Sequence, residues 1–148
     1  MRISTRGHYG LRAVIAISRL AQKGLPVSVN DVAREENLSN TYLEQLVSRL
    51  RCAGILRSHR GARGGYELVR DPDSISVAEV LRAAGEQFVF PECTSPSGCE
   101  RQAELGMPCP SSFFWMKLYE AVCRVAEETS LGELLRLYDE EQKRRTGV

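Results

Sequence analysis

The chain has 148 residues, 43% apolar and 26% charged, the ordinary composition of one soluble globular domain or of a small domain with a dimerising extension. The two arginines of residues 1–7 are not followed by an uninterrupted apolar segment, because Arg12, Ser18 and Arg19 break the apolar positions of residues 11–20. The sequence therefore predicts neither a signal peptide nor a membrane span. We expect the protein to be cytoplasmic. In that compartment we expect the five cysteines to be thiols or metal ligands rather than disulfides.

Charge is distributed unevenly along the chain, although the net charge is only +1. Residues 1–70 carry 12 basic and 5 acidic side chains, a net charge of +7, and residues 71–148 carry 8 basic and 14 acidic ones, a net charge of −6. A basic half joined to an acidic half indicates a polyanionic partner for the first half and a protein-facing surface for the second. The same asymmetry is also typical of two solvated surfaces of opposite charge.

Two helices are predicted in the first part of the chain. Apolar residues at helical spacing predict a helix over residues 9–22, and Gly24 and Pro26 end it. A capping-box pattern at Ser28 then predicts a short helix over residues 29–36.

A third helix is predicted from its N-cap, Ser39, to about Ala53. Its apolar residues form one stripe for burial, Leu43, Leu46, Val47 and Leu50. Its remaining face carries side chains of the types that read bases or bind phosphates, namely Asn40, Thr41, Tyr42, Glu44, Gln45, Ser48 and Arg49.

After this helix the pattern changes to two short strands, predicted at residues 55–56 and 66–69. Three glycines in the connecting residues 58–65 predict a hairpin, or wing. The wing arginines, whose charge suits the minor groove or flanking phosphates, are Arg57, Arg60 and Arg63. Two helices, an amphipathic third helix and a basic hairpin follow the order of a winged helix-turn-helix, whose third helix enters the major groove of DNA.

The second half is predicted to be helical on both sides of an irregular loop. Ser76 opens a helix, residues 112–128 form another, and Ser130 caps a last helix whose charged tail after Asp139 is expected to fray. Between them, residues 91–110 hold four of the six prolines and three of the five cysteines, so no regular structure is predicted there.

The loop cysteines, Cys93, Cys99 and Cys109, supply three soft ligands within one flexible segment. Thiolates select iron–sulfur clusters or zinc, and both remain open from the residues alone. The gaps between these cysteines are wider than the steps of structural zinc ribbons, which makes zinc the weaker alternative. The other two cysteines, Cys52 and Cys123, lie on predicted helices and are interpreted as small packing residues.

Three segments, MRISTRGHYGLRA from residue 1, SNTYLEQLVSRLR from residue 39 and RGARGGYEL from residue 60, resemble the IscR, NsrR and CymR group of transcription regulators, the Rrf2 family. The order and spacing agree over nearly the whole chain. The resemblance implies a homodimer in which the long C-terminal helix of each subunit crosses the other. It also implies that Glu44, Gln45 and Arg60 contact operator DNA.

With the resemblance, we assign residues 1–72 to a winged helix-turn-helix DNA-binding domain and residues 73–148 to a helical dimerisation region. The predicted fold is mainly α with a small β-hairpin wing. In the family, three loop cysteines hold a 2Fe–2S or 4Fe–4S cluster that senses cluster supply, nitric oxide or redox state, and members without the cysteines work without a cluster. The resemblance therefore implies an operator affinity set by a cluster at Cys93, Cys99 and Cys109.

The fourth ligand departs from the family pattern. IscR-like proteins place a histidine shortly after the third cysteine, whereas this chain has Ser111 and Ser112 there and no histidine after His59. The best substitute is His8, because NsrR-like relatives carry an aspartate ligand at the matching position and use it across the dimer. The next candidates are the loop glutamates, Glu92, Glu100 and Glu104.

The sequence leaves three other interpretations open. A thiol enzyme is disfavoured because only His8 and His59 are available as bases and no nucleotide-binding or hydrolase motif is present. A cluster-free regulator of the same fold, controlled by thiol oxidation or zinc, is the main alternative. A regulator controlled by a protein partner, as in CymR-like relatives, is a further one, with the acidic half as the docking surface.

Overall fold

The computed structural model describes residues 4–21, 25–61, 64–88, 90–95 and 97–147. Their helices are α1 (Thr5–Leu20), α2 (Val29–Glu36), α3 (Asn40–Cys52), α4 (Val77–Ala84), α5 (Glu100–Leu105), α6 (Pro110–Glu128) and α7 (Leu131–Thr146). The strands are β1 (Leu56–His59) and β2 (Gly65–Leu68), and 3-10 turns lie at Pro72–Ser74 and Glu92–Thr94. This order confirms the mainly helical fold with a β-hairpin wing. No helix of the described ranges is both long and apolar enough to span a bilayer.

The predicted serine N-caps are confirmed, at Ser28, Ser39, Ser76 and Ser130. Each hydroxyl accepts a hydrogen bond from the backbone N–H three residues later, which satisfies a donor that has no partner inside the helix. A further cap was not predicted. Ser4 accepts from the Gly7 N–H at 3.1 Å, so that α1 begins at Thr5 rather than near residue 9.

One apolar core lies beneath the helix-turn-helix and extends into the second half of the chain. The stripe predicted on α3 is buried, with Leu43 and Leu50 at 0% exposure. These residues share a cluster with Val80 from α4 and with Leu131 from the start of α7, both also 0% exposed. The core therefore crosses the boundary between residues 72 and 73.

The first wing strand is longer than the sequence indicated, and the second is shifted by one residue towards the turn. β1 and β2 pair antiparallel in a register that joins Leu56 to Leu68 and His59 to Gly65, so residues predicted as loop at both ends of the turn are strand residues. Backbone pairing needs no apolar alternation, and the solvent-facing positions gave no strand signal. Val27 anchors the hairpin by exchanging two backbone hydrogen bonds with Tyr66, at 2.9 and 2.8 Å.

The cysteine loop is more regular than predicted, since it contains the turn Glu92–Thr94 and helix α5. The Gln102 side-chain oxygen accepts from the Cys99 N–H at 3.1 Å, which closes the first turn of α5 without a serine or aspartate cap. Gly106 ends α5 in the left-handed conformation that glycine adopts without strain.

The last two helices also differ from the prediction. α6 begins at Pro110 because proline has the right φ for a first helical position and no N–H to leave unpaired. The tail expected to fray after Asp139 continues α7 to Thr146. An ion pair one turn apart, Arg145 Nε to Glu141 Oε1 at 3.1 Å, is the kind of contact that supports such an exposed helix end.

Candidate nucleic-acid interface and cysteine loop

The face of α3 opposite the buried stripe is open to solvent. The exposed candidates on this helix are Asn40, Thr41, Glu44, Gln45, Ser48 and Arg49. At 100° per residue, Thr41, Gln45 and Ser48 form the centre of the outward face, and Arg49 lies on one flank. The centre can therefore approach base edges when the helix lies in a major groove.

Two of the α3 candidates make contacts within the protein. The Asn40 side-chain amide donates to Asn30 Oδ1 at 2.7 Å, which ties the start of α3 to α2. The Tyr42 ring packs edge-on against Tyr9 of α1, with ring centroids 6.1 Å apart. The Tyr42 hydroxyl is buried, and no hydrogen-bond partner for it is found among the described residues. These contacts fix α3 relative to α1 and α2.

Gln45→Ala is expected to relax discrimination at one base pair of an operator selected from a random duplex library, by about 1–3 kcal/mol. The reason is the central, exposed position of Gln45, whose amide can pair with adenine. Competition binding against operators mutated at each position measures the effect. Affinity for random DNA should hardly change, and Gln142→Ala on α7 is the matched control. Equal losses on operator and random duplexes would contradict a base-reading role.

On the wing, Glu67 contacts the candidate Arg57 and also His59. Glu67 Oε1 accepts from Arg57 Nε at 2.6 Å and lies 2.7 Å from His59 Nε2. The hydrogen bonds from His59 and then Arg57 lower the pKa of the Glu67 carboxyl. The charge of Arg57 is thus partly compensated within the hairpin, while its two terminal nitrogens remain outside this hydrogen bond.

Arg60 follows β1 and is exposed at the tip of the hairpin, whereas Arg63 lies outside the described residues. Arg60→Ala is expected to weaken binding to operator and random DNA alike and to lower the slope of log affinity against log salt by about one. Titrations at several salt concentrations measure the slope. Arg144→Ala, at the far end of α7, controls for the loss of one positive charge. An unchanged slope for Arg60→Ala would remove Arg60 from the interface.

Two of the three loop cysteines line one cavity at the surface. Cys93 and Cys99 line a cavity of about 550 Å³. Cys109 does not line it, but Pro108 and Ser112, close to Cys109 in the chain, do. All five cysteines are free thiols, and the three of the loop are half-buried.

Cys109 has a distinct electrostatic environment at the first turn of α6. Its Sγ lies 3.3 Å from Ser111 Oγ, and this contact, followed by the Ser111 backbone N–H, lowers the pKa of the Cys109 thiol. A sulfur at a helix N-terminus gains further from the dipole of the helix. Cys109 is therefore disposed towards the thiolate, the form that binds metals and reacts with oxidants.

The ligand geometry is not assembled in this single chain. Within the described ranges, no three His, Cys, Asp or Glu side chains lie close enough to hold one metal ion. His8 is exposed and lines a different, apolar groove of about 520 Å³ between α1, α4 and α6. The loop glutamates, Glu92, Glu100 and Glu104, are all exposed.

The exposure of Cys52 and the burial of Glu86 differ from what the sequence indicates. Cys52 was interpreted as a packing residue, but it is exposed, because it lies four residues after Ser48 on the outward face of α3. Cys123 is half-buried, and its interaction with the Tyr119 hydroxyl raises the pKa of that phenol. Glu86, which follows α4, is buried, and its carboxylate accepts from the Ser4 N–H at 2.9 Å and from the Ser4 hydroxyl. Nothing in its sequence context distinguishes Glu86 from a surface acid.

The family model described as Rrf2, iron-dependent transcriptional regulator, matches residues 3–137. The chain is 38% identical over 143 residues to the HTH-type transcriptional regulator CymR of Bacillus subtilis, covering 97% of this chain and 96% of that relative. It is 35% identical over 135 residues to the HTH-type transcriptional regulator IscR of Aliivibrio salmonicida, covering 91% of this chain and 77% of that relative. The solved structure of CymR, the global cysteine regulator of B. subtilis, matches with a TM-score of 0.74 at 33% identity, covering 93% of this chain and 98% of that one.

Proposed function

Because the chain belongs to the Rrf2 family of transcription regulators, we propose that its operator affinity is set by an iron–sulfur cluster held by the loop of residues 91–110. The chain is a DNA-binding transcription regulator of that family. In this proposal Cys93, Cys99 and Cys109 are ligands, and the fourth is His8, which reaches the cluster across the dimer. The observation that carries it is the placement of two of these thiols in the wall of one cavity, with the third, whose pKa is lowered, beside it.

The donor set fits a cluster in the type of its side chains. Three thiols within one loop are the ligands that iron–sulfur clusters require, and the cavity beside them is large enough for a small inorganic group. The thiols do not yet share a common centre, so residues 93–109 must draw together on binding. A 2Fe–2S or 4Fe–4S cluster would supply a centre whose charge and stability depend on redox state and iron supply.

The two halves of the chain are assigned different tasks. Residues 1–72 bind operator DNA, and residues 73–148 form the dimerisation region of a homodimer. Support for dimerisation comes from α6, on which the apolar side chains of Phe113, Phe114 and Val125 are about 60% exposed in the single chain. Monomeric proteins rarely expose several large apolar side chains on one helix, which indicates a protein-facing surface.

A physical connection joins the cysteine loop to the DNA-binding helices. Glu86 lies between α4 and the loop, and its buried carboxylate holds the first residue before α1, Ser4. At Gly7 and Gly10, α1 has no side chain, and at Gly10 this leaves room for Ala84 of α4. Since α1 also packs on α3, a shift of the loop reaches the recognition helix through rigid, closely packed elements.

His8→Ala is expected to make the cluster labile or to shift its visible spectrum, while folding and dimerisation remain unchanged. The reason is that three cysteines leave one coordination position open and His8 is exposed at the start of α1. His8→Asp should partly restore the cluster, because a carboxylate can fill the same position. His59→Ala, in the wing, is the matched control. If the reconstituted His8→Ala protein has the wild-type spectrum and cluster stability, His8 is not the fourth ligand and a loop glutamate becomes the next candidate.

A cluster-free thiol switch is the second candidate, favoured by the lowered pKa of Cys109 and by the similarity to CymR, which is a cysteine regulator. In that case oxidation of Cys109 alters the loop. Zinc bound by the same thiols and a protein partner that docks on the acidic half are the remaining alternatives.

Anaerobic purification separates these candidates. Visible absorption with iron and acid-labile sulfide in the preparation supports the cluster. A colourless protein that contains zinc would support zinc binding by the thiols. A colourless protein that contains neither metal and has titratable thiols would support the thiol switch. The measurement needs no knowledge of the target genes.

A further inference from the structure

Two arginines from different helices approach the same point at the end of α4. The Nη1 atoms of Arg49 and Arg6 lie 3.2 and 4.0 Å from the position that a Cβ on Gly85 would occupy. Gly85 has a φ of 86°, a conformation that glycine adopts without strain, and a Cβ at this position would crowd the Arg49 guanidinium. We propose that Arg6 and Arg49 form a binding site for one phosphate of the DNA backbone, which adds the first turn of α1 to the DNA interface.

The charge of these two arginines is available to a ligand. Within the described part of the chain, neither guanidinium has a carboxylate partner within 4.0 Å, whereas four other arginines of this half are each paired with a glutamate, Arg12, Arg19, Arg57 and Arg70. The nearby Glu86 carboxylate is buried and hydrogen-bonded to Ser4. The carbonyl groups at the end of α4 attract both cations but cannot neutralise them fully.

The position of Arg49 on α3 suits contact with a phosphate rather than with a base. Arg49 lies 100° round the helix from Ser48, on the same side as Tyr42, which packs on α1, and Arg6 of α1 approaches the same point near Gly85. A recognition helix in the major groove has a phosphate backbone along each side, and guanidinium groups bind phosphate through parallel N–H donors. Arg49, a candidate for either base or phosphate contact in the sequence, is thereby assigned to phosphate.

The proposal rests on DNA binding by α3 and is tested on a random-sequence DNA duplex, so no operator is needed. Arg6→Ala is expected to weaken binding roughly tenfold at low salt and to lower the log–log salt slope by about 0.9. Arg49→Ala should behave alike. Because both side chains bind one phosphate, the double variant should lose less than the product of the two single losses.

Controls separate this role from a structural one. Arg144→Ala removes the same charge from the last turn of α7 and should leave the salt slope unchanged. If the two arginines only stabilise the end of α4, Arg6→Ala lowers the melting temperature and keeps the wild-type slope, which overturns the proposal. Fully independent losses in the double variant would also overturn the shared site. Either result leaves DNA binding by the wild-type chain intact, so failure here is distinct from failure of the proposed function.

Discussion

Leu131→Ala is expected to lower the free energy of unfolding by about 2–5 kcal/mol, the range for a leucine removed from a packed core. Leu131 is 0% exposed and shares its cluster with residues of α1, α3 and α4. Its backbone N–H also donates to Ile75 at 2.9 Å. A residue from the last helix therefore stabilises the DNA-binding half directly. Chemical denaturation followed by far-UV circular dichroism measures the loss.

Leu137→Ala is the matched control, because Leu137 is in the same helix but 53% exposed. It should change the free energy of unfolding by less than about 0.5 kcal/mol. Since one core crosses residues 72 and 73, the chain should unfold in one transition, and Leu131→Ala should shift all of it. Two transitions, with only the later one shifted, would contradict the single core.

Cys99→Ser is expected to abolish the visible absorption of the anaerobically purified protein and to reduce its iron content to background. A serine hydroxyl has nearly the size of a thiol but is a poor ligand for iron at neutral pH. The same loss is expected for serine at Cys93 and at Cys109. Absorption spectroscopy combined with iron and sulfide analysis measures it, and circular dichroism establishes that the fold is retained.

Cysteines outside the loop supply the controls. Cys123→Ser on α6 and Cys52→Ser on α3 leave the loop thiols in place, so both variants should keep the colour of the wild type. A loop variant with full iron content would show that its cysteine is not a ligand. A Cys123 variant without iron would place the site closer to α6.

Features encoded by short-range pattern could be predicted from the sequence. The serine caps at Ser28, Ser39, Ser76 and Ser130 depend on residues three positions apart, and the buried stripe of α3 depends on helical spacing. The winged fold followed from the order of such local features. The hairpin was placed correctly, but its length was not, because its solvent-facing residues pair through the backbone.

Features that depend on tertiary contacts could not be predicted. The burial of Glu86 depends on Ser4, which lies 82 residues earlier in the chain. The meeting of Arg6 with Arg49 depends on how α1, α3 and α4 pack around Gly85. Helix α5 in the proline-rich loop depends on one side-chain cap from Gln102 that no standard motif indicated. The candidate ligand cysteines could be proposed from their residue type. Their arrangement around a cluster could not be predicted, because the described residues do not bring three candidate ligands together in the single chain.

Operator titration of the cluster-loaded protein, and of the same preparation after its iron is removed by a chelator, tests the central claim most directly. An operator selected from a random duplex library serves as the probe, and binding is measured anaerobically at fixed salt, because phosphate contacts make affinity salt-dependent. The account predicts that the two forms differ in operator affinity at least tenfold, and that Cys99→Ser behaves like the iron-free form throughout. Equal operator affinity for loaded and iron-free protein would contradict control by a cluster at the cysteine loop.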